Sequence, residues 1–450
     1  MNKLVEEATK ENVLMSIKEN KYNRAKNIKD FIEALDAIEG NMFISLDAKW
    51  GAGKTFYVRQ IEQTLDYLTR KIKKLNVEAK IETVFSRSPL GSLELKYTYF
   101  PVYYNAWLYD NHSDPLMSLI LIITKIYESY CDTKLGGALS EKIIALLDSF
   151  SFSMGNIQLG SNFKNAKEKF SGKDILSAIK TEEEIRDKVK EIFDSIITEN
   201  VQKLVIFIDE LDRCRPNFAI EMLERIKHYF DDDRIIFVAS INREQLIHSI
   251  SKYYGTNFDS TGYLDKFFDI NIDLPEIDDR YIKKLNLSDN RYFIENITND
   301  LCRYYHLSIR ERLHLYQAVL RILTFSYSLS DENGEKMVLS AFVPIIIVLS
   351  QKDQGKKMRF IGGNSSVLDE FFHNIPILHW LACRFGIFEK QESEENFKIG
   401  YEKIKKVYDY TFGDKKEEIY NGEIKICNNF KNVCMKLCNG FNVTDEDTLL

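Results

Sequence analysis

Short apolar runs alternate with longer amphipathic segments through the first part of the chain. The runs Met42–Asp47, Tyr99–Tyr104, Leu204–Ile208 and Ile235–Ala239 predict strands. The last two are fully apolar and bounded by charged turns, which is typical of central strands in a parallel sheet. Between them, Ala219–Phe230 has the apolar spacing of a helix. This alternation predicts an α/β fold with a doubly wound, mostly parallel sheet.

After Pro275 the pattern changes to helical periodicity, as in Tyr292–Tyr305 and Ile309–Phe325. We therefore predict two domains. The α/β domain spans residues 1–277, and a C-terminal α-helical domain spans residues 278–450.

Two further segments complete this organisation. Residues 148–180 are polar and predict a loop or insertion, followed by a charged helix over about Thr181–Asn200. The most apolar runs, Leu116–Ile123 and Val338–Leu349, are well short of the ~20 residues that a membrane-spanning helix needs. Both predict buried helices, so we expect no membrane span.

The composition is that of a soluble globular protein, with 44% hydrophobic and 29% charged residues. A net charge of −7 provides no global positive field for nucleic acid, so it argues against a DNA-coating protein. A local basic patch stays open. Because the start of the chain lacks an apolar leader and the cysteines have no disulfide spacing, we expect a cytoplasmic protein.

The residues after the first predicted strand indicate a phosphate-binding loop. Ala48–Thr55 (AKWGAGKT, the phosphate loop) lies between a strand and a helix, as a Walker A motif requires. Lys54 would reach the β- and γ-phosphates, and the Thr55 hydroxyl would bind Mg²⁺. Alanine stands at position 48 in place of the usual glycine, and a chance glycine turn is the alternative. The expected nucleotide-binding residues are Trp50, Gly51, Ala52, Gly53, Lys54, Thr55 and Phe56.

A second motif follows the apolar run Leu204–Ile208, which stops abruptly at Asp209 and Glu210. Asp209 would hold Mg²⁺ through water, and Glu210 would polarise the attacking water as a general base. Ligands bind at the carboxyl ends of parallel strands, so we expect both motifs at one edge of the sheet. The alternative for the paired acids is a solvated turn or a helix N-cap.

Asn242, after the next strand, could sense the γ-phosphate or could cap the helix Glu244–Tyr254. Arg213 or Arg215 could contact phosphate as an arginine finger. The alternative is an ion pair with Asp212 or Asp209 that braces the loop. We favour this brace for Arg215 and the finger for Arg213.

Together these motifs resemble the KAP family of P-loop NTPases. The matches lie in order along the chain: Trp50–Thr55 (WGAGKT), Asn105–Trp107 (NAW), Asp114–Leu116 (DPL), Ile208–Pro216 (IDELDRCRP), Tyr263–Lys266 (YLDK) and Leu274–Pro275 (LP). The departures are Ala48 for glycine, Glu210 for the commoner second aspartate, and Asn242 where the family often has aspartate. Many members carry transmembrane helices inserted in this domain, where this chain has a polar stretch.

The resemblance implies an additional-strand (ASCE-type) ATPase that uses ATP and Mg²⁺. Asn105 and Trp107 could orient the catalytic water, although core packing is favoured for Trp107. Leu307–Glu311 resembles a lid segment, from which Arg310 could touch a γ-phosphate; a solvated helix arginine is the alternative.

Many bacterial members of the family belong to mobile or anti-phage defence loci. We therefore expect a switch or assembly ATPase of bacterial defence or stress response, acting as a homo-oligomer or with effector proteins. Two alternatives stay open. One is a DNA-transacting motor or loader, for which Lys71, Lys73, Lys74 and Lys80 leave a small basic patch. The other is a nucleotide-gated scaffold with very slow hydrolysis.

The first prediction concerns the base of the nucleotide. No adenine-specific residue is visible in the sequence, so the preference for ATP over GTP follows from the resemblance. We expect GTP to compete weakly with ATP in a hydrolysis assay. Equal potency of the two nucleotides would remove the ATP preference.

The second prediction is that Arg213 completes the site of a neighbouring subunit. Arg213→Ala and Lys54→Ala should each be inactive, whereas their mixture should regain ATP hydrolysis, since mixed assemblies can combine an intact phosphate loop with an intact arginine. Subunit exchange must be demonstrated independently. A brace acting within one subunit predicts no rescue.

Overall fold

A computed structural model describes residues 6–21, 23–112, 114–131, 141–146, 175–197, 201–277, 292–326, 337–385, 393–413, 426 and 430–439. The chain folds as two compact units. The sheet unit is Glu7–Tyr281, and the helical unit is Ile282–Leu450 together with Met1–Glu6. The predicted boundary after residue 277 stays a prediction, because residues 278–291 lie outside the described ranges. The predicted insertion also lies outside them as far as residue 174.

The described strands of the sheet unit form one parallel sheet. In chain order they are β1 (Met42–Asp47), β2 (Tyr99–Asn105), β3 (Lys203–Asp209), β4 (Ile235–Ile241) and β5 (Ile270–Asp273). Their spatial order is β2-β3-β4-β1-β5, and each neighbouring pair is parallel. The predicted parallel α/β sheet is confirmed. Strand β4 lies between β1, which leads into the phosphate loop, and β3, which ends at Asp209; this is the additional strand of the predicted class.

Alternate residues of the central strands face two separate apolar layers, because side chains alternate across a strand. Val205 and Phe207 of β3 belong to one core cluster, whereas Leu204, Ile206 and Ile208 belong to the other. The first layer contains α1 (Lys10–Lys18), α2 (Ala25–Asp36), α3 (Lys54–Ile72) and α4 (Ala79–Phe85). The second contains α5 (Ala106–Tyr109), α6 (Pro115–Cys131), α7 (Ile175–Ile196), α8 (Pro216–Tyr229), α9 (Arg243–Tyr254) and α10 (Ser260–Asp265). Helices on both faces make the sheet doubly wound.

Most predicted elements are confirmed with shifted ends. The helix predicted from Ala219 begins at Pro216, which suits the first helical position because proline lacks an N–H that would be unpaired there. The charged helix predicted from Thr181 begins at Ile175. The edge strand β5 was not predicted, because its four residues alternate Ile and acid or amide and are mostly exposed.

The helical unit contains no strand among its described residues. Its helices are α11 (Tyr292–Tyr304), α12 (Ile309–Ser326), α13 (Val343–Lys352), α14 (Gln354–Ile361), α15 (Ser365–Asn374), α16 (Pro376–Arg384), α17 (Glu394–Phe412) and α18 (Phe430–Cys438). A π-helical turn, Val338–Phe342, precedes α13, and the residues Val343–Leu349 are all buried. The predicted buried helix at Val338–Leu349 is therefore confirmed. None of the described helices combines the length and the apolar character that crossing a membrane requires.

Candidate functional site

Polar side chains at the ends of three neighbouring strands lie in one row of the sheet. Asn105 of β2 is level with Asp209 of β3, and Asp209 is level with Ser240 of β4. Asp47 ends β1 opposite Ile241 of β4. Parallel pairing thus brings the two predicted motifs to the same carboxyl edge, where α/β proteins bind ligands.

The phosphate loop turns sharply from β1 into α3. Gly51 and Gly53 have φ of 83° and 88°, a left-handed conformation that costs other residues energy. The Ala48 N–H donates to the Ile241 carbonyl at 3.1 Å, which fixes the start of the loop against β4. Helix α3 begins at Lys54 without a side-chain cap, so its first N–H groups can serve an anion. The geometry suits phosphate, and alanine at position 48 fits into it.

The Lys54 side chain is buried inside the loop, with 8% of the residue exposed. Its Nζ donates to the carbonyls of Ala48 at 2.6 Å and Lys49 at 3.4 Å. Burial lowers the pKa of Lys54, and the nearby carboxylates Asp212 and Asp209 oppose this shift. The ammonium is held by the carbonyls of its own loop, and a phosphate would compete with them for it.

Asp209 is 1% exposed at the end of β3. Burial raises its pKa, whereas the neighbouring hydroxyls of Thr55, Ser240 and Tyr103 lower it. Tyr103 Oη donates to Asp209 Oδ2 at 3.0 Å. The carboxylate therefore has a fixed position beside the Thr55 hydroxyl.

These two oxygen donors fit a magnesium ion. Mg²⁺ prefers hard oxygen ligands and is usually held by one or two carboxylates together with substrate phosphates. Among the described residues, no group of three or more His, Cys, Asp or Glu side chains could hold a metal by itself. Thr55 and Asp209 would consequently hold Mg²⁺ only together with phosphate oxygens.

Glu210 follows Asp209 in a left-handed conformation, with φ 62° and ψ 24°, and precedes a short 3₁₀ turn over Leu211–Arg213. A non-glycine residue in this region is strained, at a cost of about 1–3 kcal/mol. Its Oε1 pairs with Arg213 Nη1 at 2.9 Å, and its Oε2 accepts from Asn105 Nδ2 at 3.4 Å. Burial raises the pKa of Glu210, and the Arg213 charge opposes this. Both carboxylate oxygens are thus engaged by the protein.

The arginines of the acidic loop (Glu210–Arg215) both have partners other than the predicted ones. Arg213 pairs with Glu210 instead of Asp209 or Asp212, and its guanidinium lies 5.7 Å from the Trp107 ring. Arg215 contacts Asp110, through its backbone carbonyl and, at 3.8 Å, its carboxylate. The expected role of Arg213 in a neighbouring site stays a prediction, with a pair to Glu210 as its competitor.

Trp107 corrects another expectation. Half of this residue is exposed, so core packing is wrong for it. Trp107 lies in α5, directly after the carboxyl end of β2, where its ring faces the Arg213 guanidinium and not the core.

The phosphate loop and the acidic loop touch directly. Trp50 Nε1 donates to Asp212 Oδ2. Asp212 is 6% exposed, and its Oδ1 has no hydrogen-bond partner among the described residues. This carboxylate is also the largest opposing charge on Lys54. Asp212 therefore belongs to the site, where it contacts the phosphate loop, and does not only pair with an arginine of its own loop.

Three other expected residues have plain positions. Asn242 Oδ1 accepts from the Gln245 N–H at 3.3 Å, so it caps α9, and its role as a γ-phosphate sensor stays a prediction. Phe56 lies in the first turn of α3 and its side chain packs in the core, which leaves its backbone N–H as the group that could face a nucleotide. Arg310 lies exposed near the start of α12 in the helical unit, and its contact with phosphate stays a prediction.

Tyr103, Arg24, Asp47 and Ser240 were not predicted as site residues from the sequence; the first two show what signal was and was not available. Tyr103 stands two positions before Asn105 on β2, so the period of a strand places both on one face; that spacing was an available signal. Arg24, which contacts the back of the phosphate loop, carries no motif. Its position depends on packing between α2 and α3, and the local sequence does not encode it.

A family model described as "KAP family P-loop domain" matches residues 22–313. The match covers more than half of the chain and includes the phosphate loop, Asn105, Asp209 and the acidic loop. No curated protein matches the chain.

The third prediction concerns Gly53, whose left-handed φ an alanine adopts at a cost of about 1–2 kcal/mol. Gly53→Ala should lower the melting temperature and weaken MgATP binding about tenfold, because relaxing the strain turns the loop N–H groups away. Calorimetric titration and thermal unfolding measure the two effects.

Gly255→Ala is the matched control. Gly255 has φ 107° at the end of α9, away from the loop, and an added Cβ meets no atom within 4 Å. Its substitution should cost stability alone. An unchanged affinity in Gly53→Ala would contradict the assignment of this loop.

Proposed function

Because the chain belongs to the KAP family of P-loop domains, we propose that it binds ATP with Mg²⁺ and hydrolyses it to drive a switch or an assembly step. Membership supports a nucleotide-binding NTPase in general. The choice of ATP, the hydrolysis and its use are the proposal. The observation that carries it is the meeting of Lys54, Asp209 and Glu210 at one edge of the sheet.

Each side chain has a distinct part in this reaction. Lys54 would leave the Ala48 and Lys49 carbonyls to contact the β- and γ-phosphates. Mg²⁺, when bound by Thr55, Asp209 and phosphate oxygens, would neutralise charge on the phosphates. Glu210 would orient a water and accept its proton, and a raised pKa makes the carboxylate a better base.

Two protein groups hold Glu210 in the contacts described. Arg213 and Asn105 each contact one of its oxygens, which leaves lone pairs for a water, but the Arg213 charge lowers the pKa of the carboxyl and so makes it a weaker base. This arrangement favours slow basal turnover, below the ~1–10³ s⁻¹ of typical enzymes. The nucleotide-gated scaffold with slow hydrolysis is therefore our second candidate, and stimulation by a partner distinguishes it from a constitutive ATPase.

We further propose a role in bacterial anti-phage defence or stress response, together with copies of itself or effector proteins. The family resemblance supports the role. Exposed apolar side chains at the site support a partner, since Trp50 is 46%, Trp107 50% and Leu108 67% exposed. The acidic net charge of −7 counts against a DNA motor; stimulation by duplex DNA that is lost steeply with added salt would favour that function.

The fourth prediction separates binding from turnover. Lys54→Ala should lose nucleotide affinity, because the ammonium compensates phosphate charge in both ground and transition states. Glu210→Gln should bind MgATP normally and stop turnover, because the base matters once water attacks. Equilibrium binding of a labelled ATP analogue and single-turnover hydrolysis measure the two steps.

Glu224→Gln is the control for Glu210→Gln. Glu224 lies on α8, outside the site, and its carboxylate accepts a hydrogen bond from Tyr263 Oη at 2.8 Å. Replacing this carboxylate should leave turnover unchanged. If Glu210→Gln hydrolyses ATP at the normal rate, Glu210 is not the base.

A further inference from the structure

Arg24 lies behind the phosphate loop, just before α2, and only 2% of it is exposed. Its Nη1 donates to the Gly53 carbonyl at 3.3 Å, and its Nη2 donates to the Ala52 carbonyl at 3.2 Å. Nη2 also donates to the Pro275 carbonyl at 3.0 Å, in the segment after β5. The guanidinium lies 5.4 Å from the Tyr57 ring of α3. One buried cation thus contacts three backbone carbonyls from two distant parts of the chain.

The two loop carbonyls determine where two loop N–H groups point. A trans peptide is planar, so its C=O and its N–H point in opposite directions. The Ala52 carbonyl shares a peptide with the Gly53 N–H, and the Gly53 carbonyl shares one with the Lys54 N–H. When Arg24 holds these carbonyls at the back, both N–H groups are directed to the front of the loop, where phosphate would bind.

The contacts of Arg24 with the loop carbonyls matter because the glycines allow the loop backbone more than one conformation. Gly51 and Gly53 permit left-handed φ, and they also permit other conformations in which a peptide turns over. A guanidinium has five donors in a planar fork and can reach several carbonyls at once. Its charge also polarises the peptides that it contacts, which makes their N–H groups stronger donors.

We propose that Arg24 is a positioning residue that fixes the phosphate loop in its anion-binding conformation. The proposal rests on the nucleotide site proposed above. Arg24 does not touch the nucleotide; it acts through the Ala52 and Gly53 peptides. Because the same guanidinium holds Pro275, it also joins the loop to the segment through which the chain leaves the sheet unit.

The fifth prediction compares Arg24→Met, Arg24→Lys and Arg225→Met. Inorganic tripolyphosphate is the probe, because it presents phosphates without a base or sugar. Arg24→Met should weaken tripolyphosphate binding about tenfold or more, since three charge-assisted hydrogen bonds are lost. Arg24→Lys should recover part of the affinity, because an ammonium restores the charge and some of the bonds without the fork.

Arg225→Met is the matched control. Arg225 lies on α8, away from the phosphate loop, and pairs with the buried carboxylate of Asp114 at 3.3 Å. Its loss should lower the melting temperature without changing tripolyphosphate affinity. If Arg24→Met lowers the melting temperature and leaves the affinity at the wild-type value, Arg24 is structural and the proposal is overturned.

A second readout keeps this inference separate from the proposed function. Amide hydrogen exchange of residues 50–56, without phosphate and well below the melting temperature, should be faster in Arg24→Met than in wild type and Arg225→Met. If Arg24→Met does not fold, the same comparison uses Arg24→Lys. Unchanged exchange overturns the proposal, whereas wild-type protein that binds neither ATP nor tripolyphosphate overturns the proposed function instead.

Discussion

The burial of the Lys54 ammonium is the constraint on which the rest of the site depends. Removing a charge from water costs several kcal/mol unless partners replace the lost hydration. The Ala48 and Lys49 carbonyls supply hydrogen bonds, and the acids Asp212, Asp209 and Asp47 supply negative charge. Asp47 ends β1, whereas Asp209 ends β3 and Asp212 follows in the next turn, so these charges surround the lysine only because the parallel sheet brings the ends of β1 and β3 to the same edge. The buried charge of Lys54 can therefore be balanced only in this fold.

The same charge balance explains why the acidic loop adopts an unfavourable backbone. Asp209 and Glu210 are adjacent, and like charges on both would repel in a poorly solvated site. The left-handed conformation of Glu210 separates the roles of the two side chains. Asp209 lies among hydroxyls near Lys54, whereas Glu210 reaches Arg213 and Asn105. Strain at this one residue gives two neighbouring acids two different environments.

The sequence allowed prediction of those parts of the site that depend on local pattern. A buried parallel strand needs continuous apolar residues, so the apolar runs predicted β1 and β3. The glycine-containing loop after β1 and the acids after β3 then predicted the two motifs. The partners of the charged and polar side chains at the site were not predictable from the sequence. The pair of Arg213 with Glu210 depends on the left-handed turn, and the contact of Trp50 with Asp212 depends on the sheet order. The weakly apolar β5 and the unmarked Arg24 were missed because tertiary packing alone defines them.

Contacts on the two sides of the phosphate loop differ in what a nucleotide would do to them. Lys54, at the front, contacts groups that phosphate would displace, and Trp50 joins the front of the loop to Asp212. At the back, Arg24 contacts carbonyls that phosphate would not reach. Phosphate binding would therefore rearrange side chains at the front while the backbone held from behind stays fixed. Trp50 and Lys54 both interact with Asp212, and the neighbouring Arg213 pairs with Glu210. A movement of Trp50 or Lys54 would therefore change the surroundings of the Glu210 carboxylate. A loop held from behind, with front contacts that can be exchanged, would let bound phosphate change the contacts of the Glu210 carboxylate.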